Sequence, residues 1–499
     1  MRGALHNLSH PVKLSMNQGE LIPICVVEAL PADVMDHSTA CLIRTQPLIA
    51  PVMHEVDAKI HHWFVPTRTI WKDFPEFITG GPDGLDDTEA PYITTPAVTG
   101  FAIGSLGDYL GVPPGVPNLQ VSALPFRAYA HIWNNYYRDQ DLQTALNVSD
   151  GNGSDTTTNT ILQNACWEKD YFTSARANPQ KGPAVSIPLT GDAPVLGIGK
   201  TNTTYGVPSA LVYESDGTQS TYAAGARIGD DSVNNNVYIE RNPLNTNYPY
   251  VRADLTDVSA VNIEDLRLAA ALQRYEENLS MYGSRYVERI MAAFGIRPRS
   301  LELDIPQYLG GGQNKIQISE VLATAEGDNV SVGDLYGHGI TAMRSNRYRF
   351  KIPEHGYIIS LLVLRPRTNY IQGLSKLWSR DTKEDYYQPE LENLGQQPIL
   401  NKELYAAHAT PNGVFGYQDA YDSYRFIEGR VAGEFRDTLD YWHMARKFAS
   451  SPALNADFVK SNPTDRIYAV PAADQLYVMA KHKIMARRRV IQRAKPKLF

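Results

Sequence analysis

The residues that could do chemistry are few and badly spaced for it. Gly199-Lys200-Thr201 has the ending of a phosphate-binding loop, but the position that must hold the first glycine is Pro194, and a polar stretch follows where a helix is needed. Gly310-Gly311-Gly312 lacks the dinucleotide-binding spacing and reads as a turn. His54, His61 and His62 suggest a metal, yet adjacent residues on a strand point to opposite faces, so His61 and His62 cannot easily share one ion. Glu276-Glu277 and the group Asp381, Glu384, Asp385 could supply a glycosidase pair, although carboxylates in such segments are ordinarily solvated. No GxSxG nucleophile elbow is present. The three cysteines, Cys25, Cys41 and Cys166, are odd in number and without CxxC spacing, which argues against a disulfide framework or structural zinc and fits a reducing compartment. The expectation is a protein with no catalytic, cofactor-binding or metal-binding residues, and not an enzyme.

One charged constellation stands apart. After Asp474 the chain has no acid but carries Lys481, Lys483, Arg487, Arg488, Arg489, Arg493, Lys495 and Lys497, so the net charge of −7 divides into +8 there and −15 upstream. A basic end at 481–499 on an acidic body suits an arm that meets polyanions. Phosphate contacts need charge and reach but little sequence specificity, so these eight residues are candidate nucleic-acid ligands. The competing reading is a clamp onto acidic neighbours.

The elements that must carry these residues read as mainly β. Val56, Ala58, Ile60, His62 and Phe64 alternate with period two, and prolines at 11, 23, 31, 47, 51 and 66 punctuate the first 70 residues as edge or bulged strands do. Strands return after Gly337, with Tyr348–Phe350 and the nearly continuous apolar run Tyr357–Leu364, which reads as a central strand. Between them, helices are predicted from Pro125 (Phe126, Tyr129, Ile132, Trp133, Tyr136), from an Asn262 N-cap (Leu266, Leu272, Tyr275), and from Ser284 to Gly295. The segments DGNGSDTTTNT (from Asp150) and TNTTYGVPS (from Thr201) read as polar surface loops. Strands at 21–66 and 337–365 are expected to share one barrel, with the middle as insertions.

Composition agrees with a packed core, at 43% hydrophobic and 20% charged over 499 residues. Tyrosine is abundant, 29 against 14 Phe, and suits surfaces that become buried on assembly. The opening MRGALHNLSHPVKLS has no long apolar core, so export by a cleaved signal is not expected. Tyr357–Leu364 is far short of the roughly 20 residues that a bilayer crossing needs, so no membrane insertion is expected.

Many phrases, in order, resemble the major capsid proteins of microviruses, particularly the gokushovirus-like branch. They include LSMNQGELIPICVVEALPADV, RTQPLIAPVMHEVDAKIHHWFVPTRTIW, LPFRAYAHIWNNYYRDQDLQ, DYFTSARANPQKGPAV and LRLAAALQRYEENLSMYGSRYVERIMAAFG. PQYLGGG, ENLGQQPILNKELY, FGYQDAYDSYRF and DYWHMARKFASSPALNADF continue the match, which spans nearly everything except about 200–250 and the extreme C-terminal residues. The chain departs from that branch in its shorter 200–250 segment and its strongly basic end.

The resemblance implies one capsid domain over 1–499, an eight-stranded antiparallel jelly-roll barrel of the viral capsid type with loop and helical insertions. It further implies sixty copies in a T=1 icosahedral shell around circular single-stranded DNA, with pentameric intermediates, assembled in the host bacterial cytoplasm and located in the virion. The implied partners are an internal scaffolding protein, a DNA pilot protein, a small basic DNA-binding protein and a host surface receptor, with 200–250 as a variable surface insertion near the threefold axes. A carbohydrate-active β protein and a cellular scaffold are the rival classes.

Overall fold

The computed structural model describes residues 3–82, 85–183, 185, 195–196, 198–199, 212–213, 219–220, 238–239, 252–253, 263–282, 285–297, 299–324, 331–392 and 395–491. The chain divides into two compact units, Met1–Pro179 with Leu279–Phe499, and Gln180–Asn278.

The larger unit is built on eleven described strands in two antiparallel sheets. In chain order they are β1 (Ala4–Asn7), β2 (His10–Met16), β3 (Ile22–Ala29), β4 (Val34–Thr45), β5 (Val56–Pro66), β6 (Gln307–Lys315), β7 (Gln317–Leu322), β8 (Leu335–Arg344), β9 (Tyr348–Lys351), β10 (Gly356–Pro366) and β11 (Leu476–Arg488). The seven-stranded sheet runs β1-β11-β4-β8-β7, with β2 also on β11 and β9 also on β4. The four-stranded sheet runs β6-β5-β10-β3. Strands from the two ends of the chain therefore share both sheets: β4 pairs β8, and β10 lies between β5 and β3 as its apolar run predicts.

The sheets pack face to face around an apolar core drawn from both, with Met16, Ile43, Leu476 and Val478 meeting Ile22, Ile60, Leu362 and Leu364. The alternation in β5 turns out to be only half of its burial. Its other face, with Trp63 and Val65, lies beneath a second core formed by helix α1 (Leu124–Ile132) and neighbouring loops, where Phe126, Tyr129 and Trp133 pack on Ile359, Leu361 and Val363 of β10. Pro in its first turn starts α1, which ends in a π-helical turn, Trp133–Tyr137. The molecule is thus three layers deep here, with the four-stranded sheet in the middle.

His61 and His62 do face opposite ways. His61 lies on the helical side, where its Nδ1 is 2.6 Å from the Tyr137 hydroxyl. His62 is fully buried between the sheets, bonded to the hydroxyls of Ser360 at 2.7 Å and Ser345 at 3.1 Å. It belongs to a polar belt across the sandwich. On one sheet His10, His482 and Thr39 are in register, with His37 beside them; on the other Cys25, Ser360 and His62 are in register. The belt separates the main core from a smaller apolar cluster containing Met35, Phe64, Ile358 and Ala486.

Two readings of the sequence are corrected. The triple glycine is not a turn but part of β6, crossing so closely over its neighbours that side chains do not fit. A Cβ on Gly312 would lie 2.7 Å from Ser345 Cα, and one on Gly311 would collide with the Ile60 carbonyl. The polar stretch from Asp150 is not merely surface loop. Its Asp155 forms an ion pair with Arg127 of α1 at 2.8 Å, both side chains wholly buried. Arg127 also donates to the carbonyls of Ile70 at 3.1 Å and Gly151 at 3.0 Å. Burial alone would raise the Asp155 pKa, but hydrogen bonds from Thr158 and the Arg127 guanidinium hold it below the usual carboxylate range.

Helix α2 (Ile263–Met281) spans the boundary of the smaller unit; its proposed cap, Asn262, lies outside the described residues. Within that unit three pairs of two-residue strands are described, such as Val212–Tyr213 with Gln219–Ser220. Helix α3 (Tyr286–Phe294) ends at Gly295 with φ of +67°, the left-handed stop expected there; Ser284 lies outside the described residues.

Replacing Asp155 by Asn strands a buried guanidinium and is expected to cost about 3–5 kcal/mol, read as a lower urea midpoint. A second prediction concerns pH. Burial, Arg365 and Lys59 push His61 down to about 4. The unfolded chain therefore binds the proton first, so this stabilisation is complete above pH 6.5 and declines as pH falls toward 4. In urea titrations from pH 7 to 4.5, His61→Gln should remove up to about 1.4 kcal/mol per pH unit of acid sensitivity; an unchanged pH profile would refute it.

Candidate nucleic-acid interface

The eight basic residues expected in a tail are placed very differently by the structure. The segment through Arg488 is neither helix nor free arm: β11 is an interior strand, paired with β4 on one side and with β1 and β2 on the other. Its residues alternate strictly. Leu476, Val478, Ala480, His482, Ile484 and Ala486 are buried in the sandwich, whereas Tyr477, Met479, Lys481, Lys483 and Arg487 are exposed on the opposite face. The period of two that buries one set necessarily presents the other.

Neighbouring strands extend this basic face. Lys13 stands opposite Met479, Arg44 opposite Tyr477, and Arg344 opposite Ala40, which is itself opposite Lys481. Arg349 on β9 stands opposite Asp36. Lys13, Arg44, Arg344 and Arg349 are all exposed. Asp36 lies on this face too and pairs with Arg347 at 3.2 Å. Lys13 and Arg44 flank an open depression that includes Leu42, Tyr477 and Met479. Such a surface pairs fixed cations with an accessible aromatic ring, the combination that binds single-stranded nucleic acid without reading sequence.

Arg488 does not join this face. Its guanidinium lies 2.8 Å from the carboxylate of Asp33, which is 1% exposed, and also donates to the Glu28 carbonyl. It holds the sheet end closed instead of reaching outward. Arg489 is exposed just beyond the strand, and Arg493, Lys495 and Lys497 lie outside the described residues. Sequence reasoning missed Lys13, Arg44, Arg344 and Arg349, because only strand register brings them beside β11.

The other candidates do not converge. Asp381, Glu384 and Asp385 sit in an exposed turn, with Asp385 accepting from the Thr382 backbone and hydroxyl. Cys25, Cys41 and Cys166 are free and buried. His54 is bonded to the Arg367 carbonyl at 2.7 Å. Among the described residues, no helix is long and apolar enough to cross a membrane.

The fold and the site define a mainly β, antiparallel sandwich protein with a basic sheet face. Known proteins narrow that class: residues 2–498 match the family described as capsid protein (F protein). The chain is 34% identical over 489 residues to capsid protein VP1 of Bdellovibrio phage phiMH2K, covering 94% of this chain and 90% of that one. It is 32% identical to capsid protein VP1 of Chlamydia phage 1 (94% and 91% covered) and 31% identical to that of Spiroplasma virus 4 (95% and 90%). This chain belongs to the capsid protein (F protein) family, the microvirus major capsid proteins. Its role is structural, as a self-assembling component of a virion shell.

The separation of roles within β11 is testable. Arg488→Ala should leave Asp33 buried without its partner and lower stability by about 3 kcal/mol or more in urea. Lys483→Ala, exposed on the outer face, should change stability by less than about 0.5 kcal/mol. Equal effects would contradict the assignment.

Proposed function

We propose that this chain is the jelly-roll subunit of a T=1 icosahedral shell, sixty copies of which enclose circular single-stranded DNA, with the basic face of the seven-stranded sheet toward the genome. The jelly-roll reading is supported by strand order. Along the chain β2, β4, β8 and β11 belong to one sheet and β3, β5, β6 and β10 to the other, in the orders β2-β11-β4-β8 and β6-β5-β10-β3. Two interleaved Greek keys folded into facing sheets would give this order. Assembly is supported by large apolar side chains that a lone subunit leaves in water, among them Trp378 at 75% and Ile427 at 97% exposure.

The observation that carries the DNA reading is the basic face itself. Packed single-stranded DNA repels itself, and upstream residues at −15 would add to that repulsion. Lys13, Arg44, Lys481, Lys483 and Arg487 on a rigid sheet offset it without base recognition. Arg489 adds to the same charge just beyond the strand, and Arg493, Lys495 and Lys497 follow it in the sequence. In this reading a scaffolding protein, a DNA pilot protein and a small basic DNA-binding protein are partners during assembly in the host cytoplasm. The 200–250 insertion, nearly all of it outside the described residues, takes part in host attachment.

The test is salt dependence. Changing Lys481, Lys483 and Arg487 together to Gln should flatten the slope of log affinity for single-stranded DNA against log salt by about 2, since each phosphate contact contributes about 0.7. Packaged genomes should also leave variant particles at lower salt. An unchanged slope with weakened empty shells would make this face an intersubunit clamp and overturn the DNA reading.

A further inference from the structure

We propose that His10, Cys25 and His482 form a metal site that holds one zinc-type divalent transition ion between the two sheets. The three residues come from β2, β3 and β11, and their ligand atoms all lie within 4.8 Å of one another. His10 and His482 are opposite each other in the β2–β11 ladder, so both rings leave the same face. Cys25 reaches them from the other sheet, where a register shift between Ser360 and Leu361 sets it opposite Ser360 on the inner side.

The hydrogen bonds leave the right atoms free. His10 Nδ1 lies 2.9 Å from the Leu8 carbonyl, so it carries the proton and leaves Nε2 with a lone pair. His482 Nδ1 is occupied by Thr39 Oγ1 at 2.9 Å and His37 Nε2 at 3.2 Å. Among the described residues His482 Nε2, on a residue with no solvent exposure, makes no hydrogen bond, and the Ile24 carbonyl lies near the ring. A buried nitrogen without a partner is costly, and an ion would satisfy it. Histidines anchored through one nitrogen to a carbonyl or hydroxyl, which leaves the other for the metal, are the usual arrangement around zinc.

Two imidazoles and a thiolate suit zinc, whereas calcium and magnesium need oxygen ligands. Bond lengths near 2.0 Å to nitrogen and 2.3 Å to sulfur require about 3.5 Å between ligand atoms. With the three atoms within 4.8 Å of one another, side-chain rotations have to draw them together by at most about 1.3 Å. On binding, the Cys25 thiol gives its proton to solvent and its sulfur lone pair to the ion. One thiolate leaves a net charge of about +1, and the fourth tetrahedral position takes water. The ion then ties β2 and β11 of one sheet to β3 of the other.

The full chain, produced with zinc and dialysed, should retain about one zinc per chain by elemental analysis, and removing it with a chelator should lower the melting temperature. Cobalt in place of zinc should show thiolate-to-cobalt charge-transfer absorption. Cys25→Ser should abolish that band, while Cys41→Ser, a buried thiol elsewhere in the core, should keep it. His10→Gln, at a half-buried position, should weaken zinc binding at least about tenfold in competition with a chelating dye while the far-ultraviolet circular dichroism stays that of the wild type. Wild-type protein with far less than one zinc per chain would overturn the proposal. So would a cobalt spectrum without the thiolate band, or unchanged zinc affinity in His10→Gln; a buried water would then be the partner of His482 Nε2.

Discussion

The seating of β11 between β2 and β4 is the contact on which the rest of the structure depends. A single strand supplies the inner core with Leu476, Val478 and Ala480, the polar belt with His482, and the outer face with Lys481, Lys483 and Arg487. Because side chains alternate along a strand, shifting β11 by one residue would turn the lysines into the core and the aliphatics into water. The register is held at both ends: Leu476 pairs with Thr45 at one, and at the other Arg488 closes on the buried carboxylate of Asp33. Core, basic face and belt are therefore one decision about register, made once.

The three-layer arrangement explains why the middle of the chain is so unlike its ends. The four-stranded sheet is apolar on both faces, so it needs a cover as well as a partner sheet. The insertion supplies that cover through α1 and the loops around it, and the insertion in turn needs its own anchor. Arg127 and Asp155 provide it, each nitrogen of the guanidinium satisfied by the carboxylate or by a backbone carbonyl. Specificity here comes from polar groups that accept few alternative partners, at the cost of desolvating two charges.

How much of this was legible in the sequence depended on whether its signal was local. The alternation from Val56 to Phe64, the apolar run at Tyr357–Leu364 and the helix opening at Pro125 are local patterns, and all three appear where they were expected. The end of the chain misled because its inward positions include small or polar residues, Ala480, His482 and Ala486, while the outward ones are lysine and arginine. A half-buried strand with such a face has the composition of a solvated tail. The triple glycine misled for a related reason: glycine marks turns and close backbone crossings alike, and only the neighbours Ile60 and Ser345 distinguish them. The belt of His10, Cys25, His62 and His482 was invisible because its members are scattered along the chain and meet only through register.

The position of β11 also bears on synthesis. The Ser9 hydroxyl, just before β2, bonds to the backbone of Ile484 in β11, 475 residues away. Contacts of such sequence separation form late and slowly, since loop closure must precede any gain from pairing. A nascent chain can fold its helical cover and its four-stranded sheet earlier, but it must wait for residues 476–488 before the larger sheet has its interior strand. Until then β2 and β4 present open edges, the kind that aggregate or recruit holding proteins. A prematurely terminated product therefore lacks the strand that completes its larger sheet and keeps those edges unpaired.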